Sequence, residues 1–329
     1  MKDKLNINLG YFNMYKDKVF FVAGGKTGFI GSNVTEYLLN QGAIVYAHAL
    51  SEQKICYIKD HKNLRFIHGD ISEGIEIPED TYCVVNCAAH TSGAKEMALN
   101  PYAQVHTNIL INSNILEASL KAKVKKYVFI SSSAIYPEID ESITEDKAFI
   151  GDPPGNYFGP GWMKRYSEKL SEFYHRQHGM DVLIIRPSNI YGRYSGFDLE
   201  YSHVLPALIR KCVEAKQNPL EVWGSPDVVR DFIHIDDFVD GVFRAFEYFS
   251  GFDVYNISTG EFHTIGESVE IIKSITKFPH EIVYNSSKPT TIKKRKIDSL
   301  KSFENFGFKP KVSFEDGLRN TIEWYKSTL

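Results

Sequence analysis

KVFFVAGGKTGFIG, residues 18–31, decides the fold of this 329-residue chain. An unbroken apolar run ends in glycines, and a helical period begins at once, with Ile30, Val34, Tyr37 and Leu38 on one side. Strand, glycine turn and helix in that order predict a loop that holds a phosphate. Gly25 is expected to allow the tight turn, Gly28 to let the backbone approach a pyrophosphate, and Gly31 to let the helix pack close on the strand. The helix opens at Phe29 and Ile30, where unpaired N–H groups and the positive end of the dipole face an anion. At the start of an α/β domain this pattern points to a dinucleotide.

Outward from that loop the alternation continues. AIVYAHAL (43–50), NLRFIHGD (63–70), YCVVNCAA (82–89), KKYVFISSS (125–133) and MDVLIIRPS (180–188) read as strands, and VHTNILINSNILEASLKA (105–122) reads as a helix. Continuous apolar strands separated by helices predict an α/β fold, a Rossmann-type doubly wound parallel sheet with ligands at the strand C-termini. Beyond Ser188 the pattern becomes irregular. Helices are expected within 202–215, 234–249, 264–276 and 314–327, with short strands between. The expected organisation is an N-terminal extension over 1–17, a dinucleotide-binding domain over 18–188, and a smaller, discontinuous α/β substrate lobe over 189–329. About 231–249 is expected to return to the first domain.

Bulk composition narrows the function. With 43% hydrophobic residues, 13% aromatics and a net charge of −3, the chain can bury a sizeable core. It carries no global field to draw it to nucleic acid or membrane. No apolar run approaches the roughly 20 residues of a membrane span, and no signal-peptide pattern opens the chain. Cys56, Cys83, Cys87 and Cys212 show no metal-binding spacing, so no metal site is expected. Reduced thiols in a cytoplasmic protein fit them.

At the end of the second strand an acid would grip the ribose diol of NAD, yet that position holds His48. His48, with Lys26 or Lys54, tolerates a 2′-phosphate. This favours NADP while leaving NAD open. Asp70 and Ile71, at the third strand end, are expected to meet the adenine.

Several motifs now agree in order and spacing. GGKTGFIG, HGDI, NCAAHTSGA, FISSSAIYP, the lysine at 164, RPSNIYG and VVRDFIHIDD resemble the extended short-chain dehydrogenase/reductase family, whose members remodel nucleotide sugars. Within it, AAHTSGAKEMALNP and NIYGRYSGFDLEYSHVLPALIRK are most similar to the GDP-L-fucose synthase subgroup, which epimerises and reduces GDP-4-keto-6-deoxymannose. The resemblance covers about residues 18–327. It implies an NAD(P)-dependent epimerase, reductase or dehydratase, a GDP-linked sugar substrate and a homodimer.

What it implies for single residues follows its motifs. Ser132 stands at the catalytic Ser/Thr position, and Lys164 binds the nicotinamide ribose. Ala88, Ala89 and Pro187 face the cofactor. Asn108 helps hold the active-site lysine through water. Ser133, Asn189, Lys211, Trp223, Arg230 and Arg295 contact the nucleotide sugar, and His203 is a second acid/base. Ala134 replaces a cysteine that serves epimerisation in the subgroup, and alanine moves no proton. The family tyrosine, four residues before the lysine, is Pro160. Three replacements stay open: Tyr157 folded back across Phe158-Gly159, His203 acting alone, or a rearranged base. The competing reading is a catalytically silent cofactor-binding regulator or redox sensor on the same fold.

Overall fold

The computed structural model describes residues 13–52, 56–90, 101–199, 202–216, 218–287 and 294–329. Strand β1 (Val19–Ala23) is buried at every position, as a strand covered on both faces must be. Phe20 and Val22 enter one core while Phe21 and Ala23 enter the other, following strand alternation. β2 (Ile44–Ala49), β3 (Leu64–His68), β4 (Cys83–Asn86), β5 (Lys126–Ile130) and β6 (Asp181–Pro187) pair in parallel around it. The chain then leaves through β7 (Asn189–Tyr191), β8 (Leu220–Trp223) and β9 (Val229–His234), and returns as β10 (Phe252–Ile257).

The large sheet has seven strands in the order β3-β2-β1-β4-β5-β6-β10. Its strand order reverses between β1 and β4, the crevice where such sheets bind ligands. Helix α1 (Phe29–Asn40) and α5 (Ile235–Tyr248) contribute Val34, Leu38, Phe238 and Val242 to one core. The other face is covered by α2 (Pro101–Lys121), through Ile111, Ile115 and Leu116, and by α3 (Phe158–His178).

The return to the sheet is longer than expected. It continues past 249 into β10, on which α7 (Leu300–Phe306) also packs. β10 escaped the sequence pattern because it is an edge strand whose first half is only part-buried, so FDVYNI carries polar residues. The extension also ends inside the core rather than outside it. Tyr15 is buried, donates to Glu247 Oε1 at 2.5 Å, and lies among the rings of Phe20, Phe243 and Phe246.

The second core gathers α4 (Val204–Glu214), α6 (Ile265–Thr276) and α8 (Phe314–Lys326) around Leu208, Ile209, Val269, Ile272, Leu318 and Ile322. β11 (Phe262–Thr264) pairs with β9, and β12 (Ile282–Asn285) with β8. Helix α6 starts at a capping box, with Thr264 and Glu267 each bonding the other's backbone N–H.

Candidate active site

The phosphate loop is built by steric exclusion. Gly24, with φ +72°, takes the left-handed position of the turn. The turn was expected at Gly25, whose actual constraint is space: a Cβ there would lie 2.8 Å from both the Val22 carbonyl oxygen and Thr35 Oγ1. At Gly28 and Gly31 a Cβ would lie 2.6 Å and 2.2 Å from the Gly24 carbonyl oxygen. Gly28 caps α1 without a side-chain hydrogen bond, and no acidic residue occupies the first turn. The leading N–H groups, those of Phe29 and Ile30 among them, are thus left to an anion. These residues fit a dinucleotide diphosphate.

At the adenosine end the geometry departs from expectation. His48 is buried, with its Nε2 2.8 Å from the Gly69 carbonyl. Burial lowers its pKa, so the ring is neutral and donates Nε2–H to that carbonyl. It braces the β2–β3 end through that bond. Lys26 is buried too, with Nζ 2.9 Å from His68 Nε2 and 3.2 Å from the Glu52 carbonyl. Lys54 lies outside the described residues. Asp70 Oδ1 accepts from Ser72 Oγ and N at 2.7 and 2.8 Å, bonds that hold its carboxyl below the usual range. Ile71 is buried, and Asn114 fastens its carbonyl at 2.7 Å. Part-buried Ala88 donates to Asn86 Oδ1 at 3.2 Å, and exposed Ala89 follows.

Lys164 and Ser132, expected from the sequence to take part in proton transfer, stand at the C-terminus of β5. Lys164, on α3, donates to the Ile130 carbonyl at 2.9 Å and lies 4.6 Å over the Phe129 ring. Burial pushes its pKa down to about 8, while Glu168, one turn on, pulls it up. Glu168 is in turn fixed by Arg186 at 2.7 Å and by the Ser131 hydroxyl at 2.5 Å. Ser132 Oγ accepts from Ala134 N at 3.0 Å, a bond that uses a lone pair and not the hydroxyl proton. Ser133 and Ala134 form the short 3-10 turn it caps.

Pro160 is the third residue of α3, inside the first turn, where its missing N–H costs no helix bond. The next residue is confined: a Cβ on Gly161 would lie 2.7 Å from the Ala134 carbonyl and 2.6 Å from Pro153. The start of α3 therefore presses directly on the Ser132–Ala134 turn. Tyr157 ends the 3-10 turn just before α3. The Arg295 guanidinium stands 5.2 Å over its ring. Burial, with the nearby charge of Arg230 and against the pull of Tyr157, lowers the pKa of Arg295 to about 10. Burial also lowers that of Arg230, against the pull of Tyr157. Arg295 Nη2 is buried with no hydrogen-bond partner among the described residues. Two guanidinium groups that disfavour each other, one with an orphaned donor, make a place for an anion.

The other expected contacts separate. Asn108 pins the loop after β4: Oδ1 accepts from His90 N at 2.8 Å, and Nδ2 donates to the His90 and Gln104 carbonyls at 2.9 and 2.6 Å. Its direct partners are the loop and its own helix. Pro187 is buried at the end of β6. Asn189 is exposed and donates to the Asp231 carbonyl at 2.8 Å. His203 occupies the cap position of α4 but makes no capping bond. Its surface is open to water, yet the protein packed around the ring lowers its pKa. Lys211 shares its face of α4 and donates to the Glu221 carbonyl of β8 at 2.8 Å, near exposed Trp223. The left-handed turn at Gly24 was missed, and the Gly-Gly doublet was the available signal.

Comparison with known proteins gives the same picture. Residues 21–258 match the NAD dependent epimerase/dehydratase family. The probable GDP-L-fucose synthase 1 of Oryza sativa subsp. japonica is 33% identical over 312 residues, covering 93% of this chain and 91% of that one. The GDP-L-fucose synthase of Sinorhizobium fredii (strain NBRC 101917 / NGR234) is 30% identical over 318 residues, covering 95% and 96%. Among solved structures, the UDP-glucose 4-epimerase of Thermotoga maritima with UDP-glucose superposes at a TM-score of 0.82 with 27% identity, covering 94% of this chain and 99% of that one. On the family match and the identity across nearly its whole length, the chain belongs to the NAD dependent epimerase/dehydratase family.

Proposed function

We propose that the protein is an NAD(P)-dependent enzyme that modifies a nucleotide-activated sugar, GDP-linked, by hydride transfer at a sugar carbon. The observation that carries this reading is that Ser132 and Lys164 stand at the β5 end, Lys164 on the helix that Tyr157 precedes, while Tyr157 has the Arg295 guanidinium over its ring and Arg230 nearby. When bound, the nicotinamide supplies or accepts the hydride. Ser132 donates its hydroxyl proton as a hydrogen bond to the sugar oxygen, and the charged Lys164 steadies the cofactor ribose. In reduction of a 4-keto sugar the carbonyl carbon gains hydride and the oxygen gains a proton. Tyr157 delivers that proton and recovers it from solvent. Arg230 and Arg295 bind the diphosphate as bidentate cations. Asn189, Lys211 and Trp223 hold the nucleotide sugar.

Ala134 moves no proton, so a cysteine-type epimerisation is not part of this chemistry at that position. Reduction is the step the residues serve best. A silent cofactor sensor is not favoured, because such a protein needs no paired arginines for a sugar diphosphate. The working form is a homodimer in the cytoplasm: exposed Tyr166 and Phe173 on α3 support the first, and four free cysteines the second.

The test is a panel of GDP-, UDP-, dTDP- and CDP-sugars with both cofactors, followed by NMR of products formed in deuterated water. Cofactor turnover on a GDP-4-keto sugar without deuterium at C3 or C5 is expected. Deuterium at either carbon assigns epimerisation or dehydration instead, and no binding by any sugar overturns the enzyme reading.

A further inference from the structure

Arg295 on one side, and Ser132 with Lys164 on the other, come from segments far apart in the chain, yet a buried run of hydrogen bonds joins them. It starts at Glu168, one turn beyond Lys164 on α3. Glu168 Oε1 accepts at 2.5 Å from the hydroxyl of Ser131, the neighbour of Ser132. Arg186 of β6 grips both carboxylate oxygens, through Nε at 3.0 Å and Nη2 at 2.7 Å. Its Nη1 donates to the Tyr136 hydroxyl at 3.0 Å and to the Glu145 carbonyl at 2.7 Å. The Tyr136 hydroxyl lies 2.5 Å from Oδ1 of Asn256, on β10. Asn256 Nδ2 donates to the Ile143 and Asp298 carbonyls, each at 2.9 Å.

The far end of this run fixes the backbone just beyond Arg295. Ile143 and Ile297 form a parallel bridge, in which Ile143 N donates to the Lys296 carbonyl at 2.8 Å and Asp298 N to the Ile143 carbonyl at 3.0 Å. Ser258, just past β10, donates its hydroxyl to the Ile297 carbonyl at 3.0 Å. The direction of each bond follows from chemistry. Arg186 only donates, and Asn256 Nδ2 is spent on two carbonyls, so Tyr136 accepts from the arginine and donates to Asn256 Oδ1. Burial pushes the Tyr136 phenol up, so the proton stays on it. Ser131, Glu168, Arg186, Tyr136 and Asn256 are all buried. A buried network with its partners satisfied is stiff, and it admits one arrangement.

We infer that Tyr136 and Asn256 are positioning residues, through which β10 holds Arg295 at a set spacing from Ser132 and Lys164. This rests on the proposed reading of Arg295 as a diphosphate ligand and of the β5 end as the place of proton transfer. A nucleotide sugar gripped at its diphosphate brings its reacting carbon to the β5 end only while that spacing is kept. A misplacement of about 1 Å costs on the order of 10²-fold in rate. GDP alone carries no sugar to align, so its binding does not depend on the spacing.

The experiment is Tyr136→Phe in the full chain, which keeps the ring and removes the hydroxyl. Its readouts are kcat on GDP-4-keto-6-deoxymannose, the Kd of GDP and of NADPH by isothermal titration, and the melting temperature. The kcat is expected to fall by about 10- to 100-fold, with both Kd values within about threefold of wild type. A lower melting temperature with kcat within about threefold marks a purely structural network and overturns the proposal. So does a GDP Kd raised as much as kcat is lowered. Ser258→Ala removes the hydroxyl bonds to Ile297 and Ser299 and leaves Tyr136 in place, so it answers the question if Tyr136→Phe does not fold. It should lower kcat by about fivefold or more with GDP binding held, and an unchanged kcat overturns the proposal. Arg295→Gln tests the premise separately. It should weaken GDP by roughly tenfold or more; unchanged GDP affinity removes Arg295 from the diphosphate site, and the positioning role with it. No turnover of any nucleotide sugar by the wild type overturns the enzyme reading itself.

Discussion

Two regions of one sheet edge are built on opposite principles. The phosphate loop at the end of β1 works through backbone shape: left-handed Gly24, and Gly28 and Gly31 packed where no Cβ fits. The region at the end of β5 proposed above for proton transfer rests instead on single functional groups, those of Ser132, Lys164 and Tyr157. A site made of backbone cannot lose its function without straining the fold around it. A site made of side chains can lose one group at almost no structural cost. Pro160, on the expected match to the family motif, would be such a loss, because the first turn of α3 accepts proline without strain.

The comparison can be broken from either side. The largest effects are expected from substitutions that carry chemistry. Tyr157→Phe should lower kcat by about 10²–10⁴-fold, the range for a positioned general acid, while His203→Asn leaves it within about threefold. Steady-state kinetics on the accepted sugar checks both, and the reverse pattern moves the proton to His203. Gly31→Val comes next. Its side chain meets the Gly24 carbonyl, and overpacking of about 1–3 kcal/mol should appear as lost dinucleotide binding with a lower melting temperature. Normal NADPH binding by that variant would remove the loop from the site.

A third effect follows pH. With its pKa down at about 8, Lys164 is charged below that value and neutral above it. A rate that needs the ammonium is therefore fully present at lower pH and lost as pH rises through 8, by up to about tenfold per unit. A flat kcat profile from pH 7 to 9.5 would free the mechanism from Lys164. Pro160→Tyr is expected to do least. Stability should change by no more than about 1 kcal/mol, and kcat by less than about threefold if Tyr157 already carries the proton. A rise beyond tenfold would show that the native site lacks its acid.

Legibility in the sequence followed the range of the interaction. β1, β2, β4, β5 and β6 were readable because burial on both faces leaves an uninterrupted apolar run, and α1 and α3 because their periods are local. β10 was not, since an edge strand keeps polar residues, and its place beside β6 depends on a partner far away in the chain. Tyr15 looked like part of a tail because its only signal is a pocket made by Phe20, Phe243 and Phe246. The site divided in the same way. Ser132, Lys164 and the loop glycines carry motif spacing. The burial of His48 against the Gly69 carbonyl was not legible, because strand alternation alone does not say whether a polar side chain ends at the surface or under the next turn.

Read alone, the chain dictates a parallel sheet, a phosphate loop at its first turn, and a lysine-bearing helix without its usual tyrosine. These rest on contacts between near neighbours in sequence. Only folding decided that Tyr157 lies beneath Arg295, that Lys26 spends its ammonium on His68, and that Lys164 is buried enough to titrate near 8. Each depends on desolvation and on charges brought together from distant segments, and neither quantity is written in any local stretch of residues.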